Sequence, residues 1–119
     1  MEERFCRTAM LIGEAGLARL KAARVAVFGV GGVGSFAAEA LARAGVGRLV
    51  LIDNDAVAAS NLNRQLAALC STIGRSKAAV MKARIEDINP AAEVEIVEDF
   101  FLPERAGLFF RGHYDYIVD

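Results

Sequence analysis

Gly29, Gly31 and Gly34 fall on a Gly-x-Gly-x-x-Gly spacing, with Gly32 inside it. Between a strand and a helix, such a run makes a phosphate-binding turn. The first glycine permits the tight turn, the second lets a ligand approach the backbone, and the third lets the helix pack closely on the strand. The helix start supplies unpaired N–H groups and the positive end of its dipole. Asp53 follows Gly34 by 19 residues, about where a dinucleotide-type fold places a ribose-binding carboxylate. One loop further stand Asp55 and the run Ser60-Asn61-Leu62-Asn63-Arg64-Gln65. Its amides and guanidinium could reach a polyphosphate, since arginine grips phosphate oxygens in pairs. A solvated loop with an exposed arginine is an equally open reading. Lys77 follows Gly74-Arg75-Ser76 at a helix start. A cation there opposes the helix dipole, which hints at an anionic partner, although a solvated lysine would lose only tenths of a kcal/mol. Arg4 and Arg7 read as part of a basic arm.

The elements that must position these groups follow from periodicity. Val25 to Val30 is a buried strand, rich in β-branched residues, leading straight into the glycine turn. Val33 to Ala44 is a helix whose expected apolar face is Val33, Phe36, Ala37, Ala40, Leu41 and Ala44, ended by Gly45 and Gly47. Arg48 to Asp53 is continuously apolar until its last residue, as parallel strands covered on both faces are. Ser60 is placed to cap a short helix running to about Cys70. A longer helix spans Lys77 to Ile88, with Met81, Ile85 and Ile88 inward, and stops at Asn89-Pro90. Glu93 to Val97 alternates charged and apolar residues, the pattern of an edge strand. Pro103 to Phe110 is a candidate short helix and Tyr114 to Val118 a fourth strand. Before all of this, residues 1–13 read as an arm and Glu14 to Arg24 as a helix. The order predicts an α/β, Rossmann-like parallel sheet with helices on both faces. It has no strand after the fourth, so the chain reads as the front half of a longer protein. Residues 1–24 form the arm and helix, and 25–119 the first part of a nucleotide-binding domain.

The totals narrow the function. The chain has 119 residues, is 55% hydrophobic and 24% charged, and carries a net charge of -1. That describes a globular domain without the basic excess of a strong nucleic-acid binder. No apolar run approaches the roughly 20 residues of a membrane span. The start carries no signal-peptide core, so a cytoplasmic location is expected. Cys6 and Cys70 form no Cys-x-x-Cys pair and read as reduced thiols, with no metal site. His113 is the only histidine and reads as a surface residue.

Together, the motifs are recognisable. Gly-Val-Gly-Gly-Val-Gly, Asp53-Asn54-Asp55, Ser60 to Gln65, Gly74-x-x-Lys77 and Ile88-Asn89-Pro90 resemble the ThiF/MoeB/HesA family, relatives of the ubiquitin-activating enzymes that activate carboxylates with ATP. Arg4-Phe5, Leu11-x-Gly13-Glu14, Ala38 to Arg43, Val80-Met81-x-x-Arg84-Ile85 and Asp99-Phe100 are most similar to its tRNA threonylcarbamoyladenosine dehydratase branch. The resemblance implies adenylation with ATP and Mg²⁺. Gly29, Gly31, Gly32 and Gly34 would lie at the nucleotide, Asp53 at the ribose, and Arg64 and Lys77 on the phosphates, with Asp55, Asn61 and Gln65 in the same site. Arg7 matches an arginine that reaches the neighbouring subunit's ATP in relatives, implying a homodimer. The acceptor would be tRNA or the C-terminus of a carrier protein. The family's Mg²⁺-associated aspartate would fall after Asp119, so the chain by itself is expected to be inactive. The rival readings are an NAD(P)-dependent oxidoreductase, which leaves Asn61, Arg64 and Lys77 without a role, a sulfur-carrier-protein activator of thiamine or molybdopterin synthesis, and a non-catalytic dimerisation module.

Overall fold

The computed structural model describes residues 3–98 and 112–119. A 3₁₀ turn at Glu3–Phe5 leads into α1 (Cys6–Ala22), followed by β1 (Arg24–Phe28), α2 (Gly32–Ala44) and β2 (Arg48–Ile52). A second 3₁₀ turn, Ala59–Asn61, precedes α3 (Lys77–Ile88), β3 (Glu93–Val97) and β4 (Tyr116–Val118). These strands form one sheet in the order β3-β2-β1-β4, and every pairing is parallel. The Rossmann-like expectation is met, and β3 lies at an edge as its alternating charges require.

The register sets Val27 beside Leu51 and Val118, and Leu51 beside Ile96. Successive strand residues point to opposite faces. Val25, Val27, Leu49 and Leu51 therefore share the main core with Ala38 and Ala42 of α2 and Met81 and Ile85 of α3. Full burial of each large aliphatic residue there contributes roughly 1.5–3 kcal/mol. The other face carries Ala26, Val50 and Ile52, also buried, with Phe28, Val97 and Tyr114 against them. Helices α2 and α3 thus cover one face. The helix expected over residues 103–110 lies outside the described residues.

Three local expectations are corrected. The inward face of α2 is Ser35, Ala38 and Ala42, while Val33 and Phe36 are 84% and 54% exposed. Close approach at Gly34 leaves room only for small side chains against the sheet, so the larger ones turn outward. The segment read as an arm is helical from Cys6, and α1 is broken at Gly13, whose φ is 74°. The helix expected from Ser60 to Cys70 is instead the 3₁₀ turn and a series of tight turns. The side chain that fixes the 3₁₀ turn is Asn61, whose Oδ1 accepts the Ala58 N–H at 2.9 Å, and Ser60 caps nothing. No described helix is long and apolar enough to cross a membrane.

Candidate functional site

The site forms where β1 and β2 end. Gly29 has φ +84°, a left-handed conformation open chiefly to glycine. Its N–H donates to Ile52 O at 2.8 Å and hooks the turn onto β2. A Cβ at Gly34 would stand 1.7 Å from Gly29 O, so no side chain fits there. The N-cap of α2, Gly31, makes no side-chain cap bond, leaving first-turn N–H groups for an anion. Ser35, buried behind the turn, donates its hydroxyl to Gly31 O and stiffens it.

Asp53 spans the two strand ends. Its Oδ2 accepts the Val30 N–H at 2.8 Å, and its Oδ1 accepts the Asp55 N–H at 2.7 Å. Its own N–H donates to Val97 O at 3.0 Å, tying the same residue to β3. One carboxylate thus clasps the glycine turn to the polar loop. Each oxygen keeps a further lone pair that a ribose hydroxyl could use.

The polar loop folds on itself. Asn61 is 8% exposed, and its side-chain oxygen is spent on the loop. Exposed Arg64 donates through one terminal nitrogen to Ser60 O at 3.0 Å and to Asn63 Oδ1 at 2.8 Å. Its guanidinium is therefore gathered onto its own loop. Gln65 lies against the glycine turn, where a Cβ at Gly31 would meet its Nε2 at 3.4 Å. The Gln65 Oε1 is enclosed and has no hydrogen-bond partner. A glycine cradle with an uncapped helix start and an unsatisfied amide beside it fits a nucleotide.

Lys77 is the correction with most consequence. Read from sequence as a helix-start residue, either solvated or facing an anion, it is 6% exposed. Its Nζ lies 3.9 Å from Asp55 Oδ2, and its N–H donates to Asp55 O at 3.0 Å. A sequence signal for this existed. Lys77, Met81 and Ile85 are spaced by four and so share one stripe of α3, and Met81 and Ile85 are fully buried. Ser76 caps that helix, accepting the Ala79 N–H at 3.2 Å.

Within one chain, Arg7 is not brought to this site. It is exposed on α1, two residues beyond Phe5, whose ring lies 3.5 Å from a Cβ at Gly45, before β2 begins. That end is opposite the glycine turn. A cavity of about 620 Å³ is also there, between Phe5, Leu17, Gly45 and Asn89. It takes in none of the residues singled out for chemistry. Cys6 and Cys70 are free and exposed, and His113 pairs with Asp115 at 3.0 Å on the surface.

An open parallel sheet, a glycine turn at its carboxyl ends and a clasped acidic residue on the next strand define a Rossmann-like α/β protein. The model of the ThiF family matches residues 5–119, and the chain belongs to that family. It is 54% identical over 119 residues to the tRNA threonylcarbamoyladenosine dehydratase of Bacillus subtilis, covering 100% of this chain and 47% of the relative. The Escherichia coli tRNA N6-threonylcarbamoyladenosine dehydratase, solved in complex with ATP, superposes with a TM-score of 0.95 at 46% identity, over 97% of this chain and 47% of that one. A probable molybdopterin-synthase adenylyltransferase of Porphyra purpurea is 38% identical over 104 residues, covering 87% of this chain and 27% of the relative. The chain spans about half the length of the dehydratases it matches.

Proposed function

We propose that this chain is the nucleotide-binding part of an ATP-dependent acyl-adenylating enzyme. The observation that carries the reading is Lys77, an ammonium at 8% side-chain exposure, one loop beyond the Asp53 clasp. A dinucleotide's pyrophosphate is held at the glycine turn itself, whereas the longer phosphate chain of ATP gives that cation a further charge to meet. The substrate carboxylate would attack the α-phosphorus of ATP, forming a carboxyl–phosphate mixed anhydride as the bond to pyrophosphate breaks. The uncapped start of α2 would hold phosphate oxygens and Asp53 the ribose. Arg64 and Lys77 would stabilise the charge gathering on the pyrophosphate. Asn61 keeps the loop that carries Arg64 in shape, and Gln65 lies between that loop and the glycines. Mg²⁺ would enter with the nucleotide and neutralise phosphate charge.

For the acceptor, we take threonylcarbamoyl-adenosine in tRNA. Its activated carboxylate would cyclise with loss of AMP, a net dehydration and a cytoplasmic reaction. The likeness to two bacterial dehydratases at 54% and 46% identity supports this. Carrier-protein activation is the second reading, supported by the adenylyltransferase likeness at 38%. We also propose a homodimer in which a second copy supplies Arg7. Supporting it are the exposure of Arg7 far from its own glycine turn and the apolar Met10 and Leu11 beside it, 83% and 87% exposed. The deciding experiment is calorimetry with ATP-Mg and with NAD, followed by carboxylate-dependent ATP–pyrophosphate exchange by the full-length protein. ATP is expected to bind more tightly, and tighter binding of NAD would overturn the adenylation reading.

A further inference from the structure

The backbone of Asp55 is held at every side. Its N–H donates to Asp53 Oδ1 at 2.7 Å, and its C=O accepts the Lys77 N–H at 3.0 Å. The next residue, Ala56, bridges to Ser76. Its carboxylate is different. It is 66% exposed, and among the described residues its one partner is Lys77 Nζ at 3.9 Å. That separation exceeds a tight charge-assisted bond of about 2.8 Å. Lys77 has the opposite character, with a side chain only 8% exposed at the positive end of α3. A buried ammonium needs an anion beside it, because burial disfavours the charged form and the helix dipole adds to the cost.

We infer that Asp55 is a resident counter-ion, which holds the Lys77 side chain in place before nucleotide arrives and is displaced by the incoming polyphosphate. The inference rests on the adenylation reading above. Two anions cannot hold the same face of one ammonium without repelling each other. Phosphate binding therefore breaks the Asp55–Lys77 pair, and loss of pyrophosphate lets it re-form. The rigid backbone and loose carboxylate suit such an exchange, since only one side-chain rotation is needed. Asp55 thus lowers the affinity for the nucleotide and eases release of the product.

The test is calorimetric titration with ATP-Mg of the wild type and of Asp55→Asn, Asp55→Glu, Lys77→Gln and the Asp55→Asn/Lys77→Gln pair. Asp55→Asn keeps shape and removes charge. It is expected to bind ATP about five-fold more tightly, the scale of a partly exposed ion pair. Without ligand it should melt at a lower temperature, yet show a larger ATP-induced rise in melting temperature. Asp55→Glu, which keeps the negative charge, should show no such tightening. In the Lys77→Gln background, Asp55→Asn should change ATP affinity by less than two-fold, which separates an effect through Lys77 from general removal of negative charge. Unchanged or weaker ATP binding by Asp55→Asn overturns the inference, and so does equal tightening in the Lys77→Gln background. Full-length wild-type protein that fails to bind ATP would remove the adenylation reading and this inference with it.

Discussion

Replacing Asp53 with asparagine tests whether the carboxylate is a structural clasp as well as a ligand. Two backbone N–H groups converge on it, that of Val30 at 2.8 Å and that of Asp55 at 2.7 Å. Val30 is fully buried, so its N–H has little access to water. A carboxylate accepts both bonds, but an amide offers one acceptor and one donor. One N–H must then face an NH₂ group, losing a bond to a charged acceptor worth about 1.5–3 kcal/mol. The surviving bond falls from charge-assisted to neutral strength, about half. The sum is about 2–4.5 kcal/mol. With a urea dependence of about 2 kcal/mol per M, Asp53→Asn is expected to lower the unfolding midpoint by about 1–2 M. Equilibrium unfolding followed by circular dichroism measures this. A midpoint within about 0.3 M of wild type would refute the clasp and leave Asp53 a role in binding alone.

Gly34→Ala is expected to destabilise by more than about 3 kcal/mol or to prevent folding, because its methyl group would meet Gly29 O at 1.7 Å; a wild-type melting curve would contradict this. Arg64→Ala, at an exposed side chain bonded within its own loop, is expected to stay within about 0.5 kcal/mol of wild-type stability and, in the full-length protein, to lose ATP–pyrophosphate exchange. Lys77→Met keeps the buried stem and removes the charge, and it should lose exchange too; near wild-type exchange in either variant would remove that residue from the site. The Asp115 carboxylate is held below its ordinary value of 3.8, chiefly by the Arg24 backbone N–H and then by His113. Because the folded value is depressed, its hold on β1 is present above the unfolded aspartate pKa and is lost as pH falls through the folded value. The Arg24 amide resonance should therefore shift with a midpoint below 3.8, and a midpoint at or above it would disprove the contact.

Much of this protein is legible in local pattern. The strand at Glu93–Val97 and the helix at Lys77–Ile88 were read with the bounds the structure shows, because alternation and fourfold spacing are properties of the chain itself. The glycine turn and Asp53 were legible for the same reason, since a turn between a strand and a helix needs glycine wherever it turns. The family was readable from its motifs, which are runs of adjacent residues. Other features came only with the third dimension. The outward turn of Val33 and Phe36 depends on how closely α2 approaches β1, a distance set by the contact between Gly34 and Gly29. The failed helix after Ser60 reflects the Asn61 side chain bonding back to Ala58, a competition that helix propensity does not register. The Asp53 clasp depends on groups 23 residues apart in the chain. The burial of Lys77 depends on the core side of α3 and on Asp55 coming across from the loop. Charge, spacing and periodicity name the groups that could do chemistry. Which of them are enclosed, and which carboxylate faces which cation, is decided when the sheet and helices pack, because burial and ion pairing belong to contacts between segments distant in sequence.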